Sequence, residues 1–135
     1  MFKIGDVVSD TVVITDEMVR MFSQCTGDHN PIHLDEEYAK TTRFGRRIAH
    51  GMLSGGLISR VLAMKLGAGG IYLGQTLKFL KPVYIGDTIT VIVTVTTLRE
   101  DRGIATFTTI VKKGDGEIAV KGDATIMLAS VLESP

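Results

Sequence analysis

The sequence predicts an α+β fold, a single domain over residues 1–135 in which long antiparallel strands curl around one buried helix. Three observations carry the prediction. From Ile71 onward the chain is rich in β-branched residues with near-alternating polarity, the pattern of half-buried strands. Short turn-forming separators join those stretches, and strands joined by short turns must run antiparallel. Ahead of them lies one long apolar segment, "GMLSGGLISRVLAMKL", that carries two adjacent glycines in a helical pattern.

Taken in order, Thr15 before Asp16 and Glu17 reads as a helix start, with a capping hydroxyl and acidic residues near the positive end of the dipole. Met18, Val19 and Phe22 give this helix its apolar stripe, and it should end near Cys25, ahead of Gly27. Asp35 reads as the cap of a second short helix that turns Tyr38 and Ala39 inward. The main helix should begin at His50–Gly51 and stop at Gly67, where "GAGG" breaks it. Leu53, Leu57, Val61 and Met64 form its stripe, and Met52, Ile58, Leu62 and Leu66 extend the stripe around the cylinder. A helix so apolar should be buried on most sides. Gly55 and Gly56 each cost about 1 kcal/mol relative to alanine, which points to something approaching the backbone closely.

The strands follow as "IYLGQTLKFL", "DTITVIVTVTTLRE", "GIATFTTIVKK" and "EIAVKGDATIMLA", separated by "KPVYIGD", "REDRG" and "KKGDGE". The "GDG" inside the last separator is a hairpin signal. Strands wrapped around one central, glycine-containing helix describe the hot-dog architecture.

Composition narrows the function. Fifteen basic and fifteen acidic residues cancel, so the chain as a whole is not built to embrace nucleic acid or an acidic membrane. Arg43, Arg46 and Arg47 form its only basic cluster, either a solvated loop or a local phosphate contact. The lone Cys25 allows no internal disulfide and supplies no zinc-ligand set, which suits a reducing compartment. "MFKIGDVVSD" lacks an apolar signal region. Met52–Leu66 is too short to span a bilayer and carries Arg60 and Lys65. The expectation is a soluble cytoplasmic domain.

One short stretch carries chemistry. "TGDHNPIH", Thr26 to His33, packs an aspartate, an asparagine and two histidines between a glycine and a proline that stiffen the backbone. Asp28 and His33 are five residues apart with a kink between them, so their side chains can converge on one small volume. A carboxylate and an imidazole that share a water molecule make an acid–base pair for work near neutral pH. Asn30 can hold a loop carbonyl or amide while they act. Taken alone, "DHNP" reads more simply as an Asx-turn. The addition of His33, and of "HGM" at the start of the buried helix, shifts the balance. There the Gly51 N–H is an unsatisfied donor at a positive helix end, suited to polarising a carbonyl. His29 should point away, His50 should be structural at the helix entrance, and Cys25 should pack as a small apolar side chain.

"FSQCTGDHNPIH" followed by Ala39, with "IAHGML" and "IYLGQTLKFLKPVYIGD", resembles the MaoC-like, or hydratase 2, family across nearly the whole chain. The resemblance is to its small single-domain (R)-specific enoyl-CoA hydratases. It implies that Asp28 and His33 are the catalytic pair, that Asn30 supports the loop and that Gly51 supplies an oxyanion-binding amide. It also places Ser59 near the catalytic carboxylate. The implied reaction is reversible hydration of a trans-2-enoyl-CoA, with no metal or redox cofactor, coenzyme A being part of the substrate. A homodimer with a continuous sheet is expected, because an uncovered sheet edge invites pairing. Two departures stand out. Cys25 sits where an aliphatic residue is usual, and Gly55–Gly56 replaces slightly larger residues, leaving room for a longer acyl chain. A hot-dog thioesterase and a non-catalytic acyl-thioester-binding module are the rival readings. The close Asp-x-Asn-Pro-x-His spacing and the presence of both acid–base residues favour the hydratase.

Overall fold

The computed structural model describes residues 2–66 and 69–129. The chain begins with a strand, β1 (Val7–Val13), followed by helices α1 (Asp16–Thr26), α2 (Pro31–Leu34), α3 (Glu36–Lys40) and α4 (Gly51–Val61). A five-residue π-helical segment, Leu62–Leu66, extends α4. Then come β2 (Ile71–Gln75), β3 (Lys78–Phe79), β4 (Thr88–Arg99), β5 (Ile104–Lys113) and β6 (Ile118–Met127). The expected helix stop at Gly67 lies outside the described residues.

The strands form one six-stranded sheet in the order β1-β4-β5-β6-β2, with β3 also on β6, and every pairing is antiparallel. Alternation decides the faces. Ile89, Val91, Val93 and Val95 of β4, with Ala105, Phe107, Thr109 and Val111 of β5, are buried on the concave side. Against them packs one face of α4, including Leu57, Ile58 and Val61, together with Leu62 of the π-helical segment. Full burial of each such side chain stabilises by about 1.5–3 kcal/mol. This is the predicted sheet around a central helix. β1 is an addition: its valines pair Val7–Val13 against Thr94–Thr88 of β4.

The long strand expected from Ile71 to Leu80 is broken into β2 and β3. Gly122 of β6 shows why the break is tolerated. A Cβ there would lie 1.7 Å from the Thr76 carbonyl oxygen, so only glycine lets the chain cross so closely.

The central helix is less enclosed than its sequence suggests. Met52 and Met64 are 56% and 73% exposed, so apolar residues on its outer side are not core within one chain. The glycine pair also divides. A Cβ on Gly55 would lie 3.2 Å from the Leu77 side chain, whereas one on Gly56 would meet nothing within 4 Å. Close packing therefore accounts for Gly55 alone. Two further expectations are corrected: Cys25 is exposed, and Tyr38 is 45% exposed while Ala39 is fully buried. Among the described residues, no helix is long and apolar enough to cross a membrane.

Candidate active site

Helix α1 ends where predicted. Gly27 adopts φ 79° and its N–H closes the last turn on Ser23. The segment after it is held by its own polar groups. The Asp28 amide donates to Thr26 Oγ1 at 3.1 Å, and the Asp28 carboxylate accepts the Asn30 amide at 3.2 Å. Asn30 Oδ1 in turn accepts the Ile32 amide at 3.3 Å and caps α2, with Pro31 in the first turn, where its missing N–H costs nothing. The Asx-turn and the acid–base readings of "DHNP" are thus compatible. One geometry makes the turn and leaves the second carboxylate oxygen available.

The single turn of α2 carries His33 inward, to 8% exposure. Its Nδ1 lies 2.7 Å from the Ile48 carbonyl. A carbonyl only accepts, so Nδ1 carries the proton and Nε2 keeps its lone pair in the neutral ring. The backbone of His33 is held as well, since Arg47 Nε donates to its carbonyl at 2.7 Å. The same guanidinium pairs with Asp16 at 2.6 Å. Hydrogen bonds from Arg47 and then Arg20 hold the Asp16 carboxyl below the usual carboxylate range.

His50 is the N-cap residue of α4, but its side chain does not cap the helix. Instead Nε2 lies 3.0 Å from Ser23 Oγ and 3.3 Å from the Asp28 carbonyl. Its ring stacks on His33 with centroids 3.9 Å apart, and Phe22 lies 4.6 Å away. Burial, then the neighbouring His33, lowers its pKa below the usual imidazole value. One donor atom from each of Asp28, His33 and His50 lies within 4.8 Å of the others.

Beside this cluster opens a cleft of about 390 Å³, lined by His33, His50, Gly51 and the apolar side chains of Phe44, Met52 and Phe79. Gly51 is the first residue of α4, and its amide is among those without an intrahelical acceptor. The Phe79 ring lies where a Gly51 side chain would go, 2.6 Å from an ideal Cβ. Glycine at this position therefore leaves room for an aromatic wall over the helix end.

Other predicted residues separate. Ser59 is not brought to Asp28 within the chain. It lies about 12 Å further along α4 than Gly51 at the usual rise per residue, and lines a separate 40 Å³ cavity with Leu62, Tyr72 and Ile126. Ser54, which the sequence did not single out, is the serine that lines the cleft, and it is 3% exposed. Of the three arginines only Arg43 lines the cleft, with Lys81. Arg46 lies over the Tyr84 ring at 4.1 Å, and Arg47 is occupied by Asp16 and His33. His29 is exposed, as expected. Ser23 was missed altogether: a serine late in an amphipathic helix carries no local signal of a partner 27 residues away.

A family model for the MaoC like domain matches residues 4–116. An (R)-specific enoyl-CoA hydratase of Rhodospirillum rubrum is 45% identical over 127 residues, covering 93% of this chain and 88% of that protein. An (R)-specific enoyl-CoA hydratase of Aeromonas caviae is 49% identical over 111 residues, 82% of this chain and 83% of the relative. Among solved structures, the (R)-hydratase from Aeromonas caviae involved in PHA biosynthesis superposes with a TM-score of 0.91. It shares 43% identity over 94% of this chain and 97% of that one.

Proposed function

Since the chain belongs to the MaoC-like dehydratase family and has the hot-dog fold, we propose that it is an (R)-specific enoyl-CoA hydratase. It adds water reversibly to a trans-2-enoyl-CoA to give the (R)-3-hydroxyacyl-CoA. The observation that carries this reading is the gathering of Asp28 and His33 ligand atoms within 4.8 Å, beside a cleft that His33 and Gly51, the first residue of α4, both line.

The chemistry follows from those positions. An enoyl thioester accepts a nucleophile at C3 once its carbonyl is polarised, because the developing negative charge spreads to that oxygen. The Gly51 N–H is the proposed donor to it, aided by the positive end of α4. A donor in that role is typically worth roughly 3 kcal/mol. Asp28 and His33 hold one water between them. His33 Nε2 has the lone pair to take its proton, since Nδ1 is committed to Ile48. The Asp28 carboxylate, fixed by the Asn30 amide, orients the water and exchanges protons with its partner. The hydroxyl joins C3, and the proton taken from the water is returned to C2 by this pair as the enolate collapses, which leaves both groups as they began. This addition calls for no metal and no redox cofactor. Arg43 and Lys81 supply positive charge along the cleft for the phosphates of coenzyme A.

The working unit is proposed to be a homodimer. β2 ends the sheet and shows Ile71 and Leu73, each 48% exposed, while Phe79, Leu80 and Met52 are 53%, 47% and 56% exposed nearby in sequence or along the cleft. Pairing of this edge with its copy would cover them and join the sheets.

The test is direct. The purified protein is mixed with crotonyl-CoA, and the conjugated enoyl absorbance is followed together with free thiol. Loss of absorbance without thiol is expected. Thiol release would instead make the protein a thioesterase, and binding with neither change would make it a non-catalytic acyl-thioester module.

A further inference from the structure

We infer that His50, acting through Ser23, is a positioning residue that holds the proposed acid–base pair from behind in one fixed tautomer. The inference rests on the hydratase reading for what the pair does, but the hydrogen bonds stand independently of it.

The proton positions follow from the partners. Ser23 Oγ lies 2.7 Å from the Asp28 carbonyl, which can only accept, so the hydroxyl donates there. Having given its one hydrogen away, Ser23 Oγ must accept from His50 Nε2 at 3.0 Å. The same N–H lies 3.3 Å from the Asp28 carbonyl. The ring is therefore the Nε2–H tautomer, and Nδ1 is a bare lone pair. That atom is buried and has no hydrogen-bond partner. The alternative tautomer would bury an unsatisfied N–H and leave the one Ser23 hydrogen to serve two acceptors. Lone pairs would then face each other either at the Asp28 carbonyl, 2.7 Å away, or at His50 Nε2, 3.0 Å away.

Two consequences reach the site. The first is mechanical. Ser23 belongs to α1 and His50 opens α4, so their bond ties the two helices at the point where the backbone of Asp28 passes. His50 also forms the wall on which the His33 ring lies, at 3.9 Å between centroids. The Asp28 backbone and the His33 ring are thus both referenced to one buried imidazole. The second is electrostatic. The titratable groups facing His50 are His33 and Asp28. A proton on His50 Nδ1 would be a buried donor without an acceptor, placed against His33. A ring that stays neutral leaves His33 free to become the cation when it takes the proton from water. The two histidines are inequivalent for a structural reason. The proton of His33 sits on Nδ1, held by Ile48, and that of His50 sits on Nε2, held by Ser23.

The experiment has two arms. Long-range ¹H–¹⁵N spectra of the unmodified protein near pH 7 should show His50 as a neutral Nε2–H ring and His33 as a Nδ1–H ring when neutral. A charged His50, or its Nδ1–H form, overturns the inference whatever the activity, and this arm needs no variant and no substrate. In the second arm Ser23→Ala and His50→Phe should lower kcat for crotonyl-CoA by between about 10-fold and 100-fold, the scale of a small misplacement of reacting groups. KM of Ser23→Ala should change little, because Ser23 does not line the cleft. His50→Gln, which keeps an N–H donor for Ser23, should recover more activity than His50→Phe. Folded Ser23→Ala and His50→Phe proteins with unaltered kcat would overturn the positioning role. A wild-type protein that does not hydrate crotonyl-CoA would count against the proposed function but leave the tautomer result standing.

Discussion

Arg47 reaches His33 from outside the cleft, donating Nε–H to its backbone carbonyl at 2.7 Å while the rest of the guanidinium holds Asp16. The side chain is only 11% exposed, so these bonds are largely removed from water. Arg47→Ala should therefore lower unfolding free energy by about 1.5–3 kcal/mol, the range for hydrogen bonds to charged groups. It should also lower kcat, because the one-turn helix that carries His33 loses its outer tie. Arg47→Lys should recover little, since a point-like ammonium cannot span both acceptors as a planar fork does. Denaturant unfolding with crotonyl-CoA kinetics checks this. An alanine variant unchanged in both would remove Arg47 from any part in placing His33.

The roles proposed for Asp28 and His33 have a clean substitution test. In Asp28→Asn the amide oxygen can still accept the Asn30 N–H, so the Asx-turn survives while the carboxylate charge is lost. Asp28→Asn and His33→Ala should each lower kcat by at least about 10²-fold, a typical general acid–base contribution, while circular dichroism remains native. Near-normal turnover in either folded variant would contradict its assignment.

Much of this site was legible because its logic is local. Gly27, Asp28, Asn30, Pro31 and His33 lie in one short run, and turn chemistry alone says that such a run is stiff. What stayed hidden depends on contacts distant in sequence. Ser23 matters through His50, and nothing about a serine in α1 announces that partner. The first strand gives no clear signal because its valines fall on both faces, and only pairing with β4 decides its register. The exposure of Met52 and Met64 has the same origin: an apolar stripe marks what is to be covered, not whether the cover comes from the same chain. Ser59 shows the limit of resemblance, since within the chain it lines a cavity apart from the cleft.

The Gly51 amide can be tested although it belongs to the backbone. Proline at the first helical position removes that N–H at little structural cost. His50 before it is already extended, with φ −61° and ψ 136°, as a residue preceding proline should be. A Cβ at this position would press on the Phe79 ring, so the comparison belongs in a Phe79→Ala background. There Gly51→Ala should retain most activity and Gly51→Pro should lose about 10²–10³-fold in kcat. Equal activity of the two double variants would show that this amide does not stabilise the developing oxyanion.

Acid should weaken the fold through His50. Its folded-state pKa is lowered, chiefly by burial and then by His33, so below the ordinary imidazole value of about 6.5 the unfolded chain takes up a proton that the native one refuses. This contribution to stability is fully present above about pH 6.5, declines as pH falls toward the lowered native value and levels off beneath it. Unfolding free energies measured from pH 7.5 to 4.5 should show that slope, and His50→Phe should remove part of it. Identical pH dependence in the two proteins would mean that His50 charges equally easily folded and unfolded.

The stereochemistry of addition separates the proposed mechanism from a generic acyl-thioester site. Asp28 and His33 sit on one short, internally hydrogen-bonded segment, with donor atoms gathered within 4.8 Å together with His50. They can address only one face of a flat enoyl group lying in the cleft. The Gly51 amide, holding the thioester oxygen, keeps the other face from turning toward them. Water and proton should therefore arrive from the same side, and the family to which the chain belongs sets the expected configuration at C3 as R. Hydration of crotonyl-CoA in deuterium oxide should give one diastereomer, with deuterium at C2 syn to the new hydroxyl. Chiral chromatography reads C3 and proton coupling constants read C2. Anti placement of deuterium would require a proton donor acting from the face away from Asp28 and His33. That result would break the one-face pairing of Asp28 with His33 even in a protein that hydrates crotonyl-CoA efficiently.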